Sequence, residues 1–156
     1  MPYKPDEQDS LNVLGLVNQG AAQLNVEIVH GEVHSVEEAV AAIENLPEDI
    51  GAILRIPSPL LDPQSNELSQ AAIKRGLPIG AFLHLDDTTL LTLSMNLFEV
   101  GKQESRLADQ IFKGIKPGDL PIETPEFYLT LNLKTAQAIG LDIPDEILRQ
   151  ADTVIR

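Results

Sequence analysis

Apolar residues fall into two alternating rhythms along this chain. Leu11, Leu14, Val17, Ala21 and Leu24 recur at helical spacing, predicting a helix over residues 11–24 with Ser10 as its cap. Val26 to His30 alternates and is rich in β-branched residues, the pattern of a short strand. Ser35 and Glu38 then form a capping-box signal ahead of Val36, Ala39, Val40 and Ile43, and Pro47 closes that helix. Strands are predicted over residues 52–56 and 78–83, with a short helix over 67–74 between them. Three helix–strand units joined by short loops favour a mostly parallel sheet covered by helices.

The rhythm changes after His84. Residues 90–94 read as another strand, 97–113 as a helix, and 116–121 as a turn-rich connector containing Pro117, Gly118 and Pro121. A strand follows over 127–133, then a helix from Leu133 to Ile139 that Gly140 terminates, and a last short helix opened by Pro144. Only a polar segment precedes the first helix, whereas doubly wound sheets ordinarily begin with a buried strand. A slot or edge of the sheet is therefore expected to lack its local strand and to need another segment or chain beside it.

Composition narrows the function. The chain has 156 residues, the size of one domain, and 24 acidic against 11 basic side chains give a net charge of -13. No basic surface offsets that charge, which argues against a nucleic-acid partner. The absence of cysteine excludes disulfides, thiol catalysis and cysteine–zinc sites. The opening residues contain no apolar signal region, and no stretch approaches the roughly 20 apolar residues of a membrane span.

Ligands of parallel sheets sit beyond the carboxyl ends of the strands. That rule singles out Arg55, whose guanidinium can fork onto a carboxylate, and Ser58, held between Pro57 and Pro59. It also singles out His84 and Asp86 after the third strand, and Ser94 and Asn96 after the fourth. Asn96 or Ser94 serves equally well as a helix cap. Replacing Arg55 or Asp86 by alanine is expected to lower ligand affinity with little loss of stability. His30, His34 and His84 have no metal-ligand spacing, and neither a nucleophile elbow, a phosphate loop nor a dinucleotide fingerprint is present. No catalysis, metal or cofactor is therefore expected.

The last third carries a resemblance. Phe112-Lys113-Gly114-Ile115-Lys116-Pro117-Gly118-Asp119-Leu120-Pro121 is similar to a helix end and connector of the ABC transporter substrate-binding family, which includes receptors for aromatic amino acids. Leu131-Asn132-Leu133-Lys134-Thr135-Ala136 through Gly140-Leu141-Asp142-Ile143-Pro144 resembles that family's next signature, and Leu148 to Ile155 its closing one. The resemblance implies an α/β three-layer sandwich, part of a type I periplasmic-binding-protein fold. By it, residues 1–156 form a single domain, the carboxy-terminal half of a two-lobe receptor whose second lobe begins with a strand absent from this chain. Residues 90–156 would then pack against the missing lobe or a partner chain. The implied function is non-catalytic binding of a small organic solute such as an amino acid, with an ABC permease as partner in the full-length context. A periplasmic or extracellular, lipoprotein-like location goes with it in the full-length context, and the location of this leaderless stretch stays open. The family often has an aspartate in the loop after Ile56, where this chain has Ser58 and reaches its acid only at Asp62. The alternative function is a stand-alone structural or sensory module of the same fold, acting as a homodimer.

Overall fold

In the computed structural model, residues 1–82 and 88–156 are described. A strand, β1 (Pro2–Tyr3), leads into helix α1 (Gln8–Leu24), and β2 (Gly31–Glu32) into α2 (Val36–Glu44). Next come β3 (Ile53–Arg55), a 3-10 turn (Asp62–Gln64), α3 (Ser65–Lys74), β4 (Ile79–Phe82) and β5 (Leu91–Met95). The chain closes with α4 (Leu97–Phe112), β6 (Phe127–Asn132), α5 (Leu133–Ala138), α6 (Asp145–Leu148) and β7 (Thr153–Ile155).

Strands β3, β4 and β5 run parallel, with Ile53 opposite Ile79 and Gly80 opposite Leu91. β6 lies antiparallel to β5 through the pair Leu91 and Leu131, and β7 is parallel to β6. β1 pairs in parallel with β2 and touches β3 on its other side. The strands thus form two sheets, β1–β2 and β3–β4–β5–β6–β7, with β1 close to β3. This is the mostly parallel, helix-covered α/β sandwich that the residue pattern predicts.

Small residues let α2 and α3 pack closely. Ala39 and Ile43 of α2 meet Leu68, Ala71 and Ala72 of α3, and the cluster extends to Val33, Ile53, Leu61 and Ile79. Ser35 caps α2 by accepting the Glu38 N–H at 3.1 Å, and the Glu38 carboxylate accepts the His34 N–H at 2.7 Å. α3 and α5 end at Gly76 (φ +68°) and Gly140 (φ +70°), left-handed positions where a side chain would be strained.

Three expectations change. Ser10 is not the cap of α1: the helix begins at Gln8, and Ser10 lies fully buried in its first turn. Residues 26–30 form no strand; the ladder begins only at Gly31. The polar opening does contain a strand, one of two residues. The second half is also thinly covered. α4 buries no residue, and Phe112 and Ile122 are 89% and 98% exposed.

Candidate ligand site

The loops that follow β1 and β3 meet at the carboxyl ends of these strands, the end at which ligands of parallel sheets bind. Arg55, the last residue of β3, is 1% exposed, and its Nη1 lies 3.9 Å from Asp62 Oδ1. Between them, Pro57 and Pro59 hold a tight turn. Ser58 donates its N–H to Asp62 Oδ2 at 3.1 Å, its Oγ accepts the Leu61 N–H at 3.2 Å, and its carbonyl accepts the Asp62 N–H at 2.9 Å. Asp62, the acid of this loop, thus reaches back over the turn that holds Ser58.

The opposite wall comes from the start of α1. Glu7 Oε1 accepts the Leu60 N–H at 3.2 Å, and the Ser10 hydroxyl lies 3.1 Å from Glu7 Oε2 and 3.0 Å from the Pro57 carbonyl, to either of which it can donate. The first turn of α1 is thereby fastened to the 57–62 loop. At the rim, Lys4 donates to Asp6 at 3.0 Å. That hydrogen bond holds the Asp6 carboxyl below its ordinary pKa and raises the Lys4 amine above its own.

His84 and Asp86, both expected to touch ligand, lie outside the described residues. The chain that follows them is firmly held. Thr88 Oγ1 donates to Asn66 Oδ1 at 3.2 Å, Thr89 and Ser69 share a buried hydroxyl contact at 3.2 Å, and Thr135 Oγ1 donates to the Thr88 carbonyl at 2.9 Å. Ser94 is buried in β5 opposite Tyr128. Asn96 caps α4, its Oδ1 accepting from Phe98 and Glu99 at 3.0 and 3.4 Å. It also borders a separate cleft of about 260 Å³ shared with Glu99, Gln103, Glu126 and Tyr128. Arg55 and Ser58 line neither that cleft nor a larger one of about 880 Å³ at the amino ends of the strands.

The fold brings Arg55 and Ser58, singled out from the sequence, together with Glu7, Ser10 and Asp62, which residue reasoning did not select. Glu7 and Ser10 are adjacent to Pro57 only because β1 lies beside β3, and two strand residues give no periodic signal. No group of three or more metal-ligating side chains comes together among the described residues. No helix among them is long and apolar enough to cross a membrane.

The sequence profile of the ABC transporter substrate binding protein family matches residues 1–155. The chain belongs to that family. A substrate binding protein with adhesive properties from Clostridium difficile, solved in its ligand-free open form, is similar at 18% identity and a TM-score of 0.81, over 99% of this chain and 52% of that one. An ABC domain from Streptococcus pneumonia in complex with L-Trp is similar at 20% identity and 0.80, over 99% of this chain and 53% of that one. A conserved domain protein from Vibrio cholerae shares 18% identity at 0.76, over 98% and 53%. Comparison with curated proteins finds no match. The chain spans about half the length of the solved structures that it matches. Proteins of this family bind solutes and are generally non-catalytic.

Proposed function

We propose that this chain forms the carboxy-terminal half of a two-lobe solute receptor, and that the loops following β1 and β3 supply one wall of the site for an amino acid or similar small organic solute. The observation that carries the reading is the buried Arg55 at the carboxyl end of β3, under a turn fixed by Ser58 and Asp62, in a chain whose family binds solutes. Arg55 lends this wall positive charge suited to a carboxylate. His84 and Asp86, next to the carboxyl end of β4 in sequence, suit the solute's amine. The L-Trp complex of the streptococcal relative supports an amino acid as the class.

The other half of the receptor closes over this wall by hinge motion, and the closed form docks on an ABC permease. The weakly covered face of α4 suits contact with that other half. One wall alone buries too little of a small solute for tight binding, so affinity in the millimolar range, roughly -4 kcal/mol, is expected. The test is a nitrogen-15 NMR titration of the chain with a panel of amino acids that includes L-Trp. Shifts clustered at residues 4–7, 55–62 and 88–89 are expected. No shift up to about ten times that millimolar range, or shifts confined elsewhere, would overturn the assignment.

A further inference from the structure

The turn after β3 satisfies its own amides with one exception. Pro57 and Pro59 have no N–H to offer, and Ser58 N–H goes to Asp62 Oδ2. The N–H groups of Leu61 and Asp62 both reach the Ser58 carbonyl, at 3.1 and 2.9 Å. Leu60 alone donates outside the turn, to Glu7 Oε1 at 3.2 Å, a partner 53 residues earlier in the chain. The Pro57 carbonyl likewise meets the Ser10 hydroxyl at 3.0 Å, and Ser10 is fully buried. The turn is thus held from α1 at two points, its entry and its tip.

Glu7 does not do what its position in the chain suggests. It stands at the N-cap of α1 with extended backbone (φ -92°, ψ 107°), where a short side chain ordinarily accepts from the first amides of its own helix. Glu7 makes no such bond. Its carboxylate is divided instead between Leu60 N–H and the Ser10 hydroxyl, which lies 3.1 Å from Oε2. Aspartate or serine, the better caps, would turn back onto α1 and fall short of Leu60. The 17 residues of α1 make a stiff post for the turn to be fastened to.

We infer that Glu7 is a positioning residue for this turn: its carboxylate, with Ser10, latches residues 57–62 to α1 and holds Ser58 and Asp62 in one arrangement beside Arg55. The consequence for binding rests on the reading of the turn as part of the solute wall. A turn fixed beforehand leaves no ordering for the solute to bring about, so the latch raises affinity without touching the solute. The role needs an acceptor for Leu60 N–H and no negative charge. Glutamine meets it: its Oε1 accepts from Leu60 and its amide nitrogen donates to Ser10 Oγ, while Ser10 donates to the Pro57 carbonyl. Alanine offers no acceptor.

The experiment compares the unaltered chain with Glu7→Gln and Glu7→Ala in two measurements, hydrogen exchange of the Leu60 amide without solute and a nitrogen-15 NMR titration with L-Trp. The Ile53 amide, bonded to the Pro78 carbonyl within the sheet, is the reference for opening of the whole fold. Glu7→Ala is expected to speed Leu60 exchange at least about tenfold beyond any change at Ile53. It is also expected to weaken L-Trp binding about fivefold, whereas Glu7→Gln changes either quantity by no more than about twofold. Exchange that rises equally at Leu60 and Ile53, or at neither, would overturn the latch. So would an equal loss of affinity in both variants, which would make the carboxylate a direct contact of the solute. Tighter L-Trp binding by Glu7→Ala would overturn it too, because the carboxylate would then have occupied the solute's own place. If no form responds to L-Trp, the solute reading fails and the exchange alone decides the latch.

Discussion

At the scale of single residues, burial changes what a substitution reports. Arg55 looks from its position like a solvent-facing grip, replaceable by alanine at little cost to stability. It is instead enclosed, with the Asp62 carboxylate 3.9 Å away. Removing it leaves a cavity and an acid without its counter-charge, so Arg55→Ala is expected to lose about 3 kcal/mol. Arg55→Met keeps the volume and is expected to lose about half as much. Urea denaturation separates the two, and equal losses would show that filling the volume contributes little beside the lost charge. Ser10 makes a second residue-level case. Its hydroxyl joins Glu7 and the Pro57 carbonyl, so Ser10→Ala is expected to cost about 1–2 kcal/mol, far more than the change to an ordinary exposed helix serine.

At the scale of elements, two asparagines chosen by different arguments do the same work. Asn132 caps α5 by accepting from Lys134 and Thr135 at 3.0 and 3.2 Å. Asn96 does this for α4, although its position also suggested a ligand contact. Each alanine variant is expected to lose about 1 kcal/mol. Calorimetry will check this, and in an intact receptor Asn96→Ala separates the roles. If capping is its whole contribution, solute affinity stays unchanged while melting temperature falls. Residues 26–30 show the complementary effect: they have strand composition, yet the ladder with β1 pairs only Gly31 and Glu32.

At the scale of the molecule, charge governs. With a net charge of -13, self-repulsion opposes the compact state, and added salt screens it. The melting temperature is therefore expected to rise between roughly 0.01 and 0.15 M salt; a fall would mean that specific ion pairs outweigh the repulsion. One such pair joins distant segments: Arg106 of α4 hydrogen-bonds Glu123 in the connector, with Gln103 on the same carboxylate. The Arg106 bond, and then that from Gln103, hold the Glu123 pKa below its ordinary 4.5. A depressed acid stabilises the fold above its unfolded pKa, and that contribution disappears as pH falls through the folded value. Glu123→Gln is thus expected to flatten the acid limb of the stability–pH curve, as followed by circular dichroism. An unchanged limb would place the acid sensitivity elsewhere.

What the residues determine alone is local. Helical spacing, the Ser35–Glu38 box, Gly76 and Gly140 set most elements and their ends, because capping and left-handed glycines act within one turn of chain. The motif from Leu131 to Pro144 carried the family, and the acidic balance set nucleic acid aside. What only the tertiary structure decided depends on neighbours far apart in sequence. The pairing of β1 with β2 and its contact with β3 bring Glu7 and Ser10 to Pro57 and Leu60, across some 50 residues of chain. Burial turned Arg55 from a surface charge into an enclosed one beside Asp62. The 26–30 segment kept its strand composition without becoming a strand, because a ladder's hydrogen bonds require a second backbone, and β1 pairs with the chain only at Gly31 and Glu32.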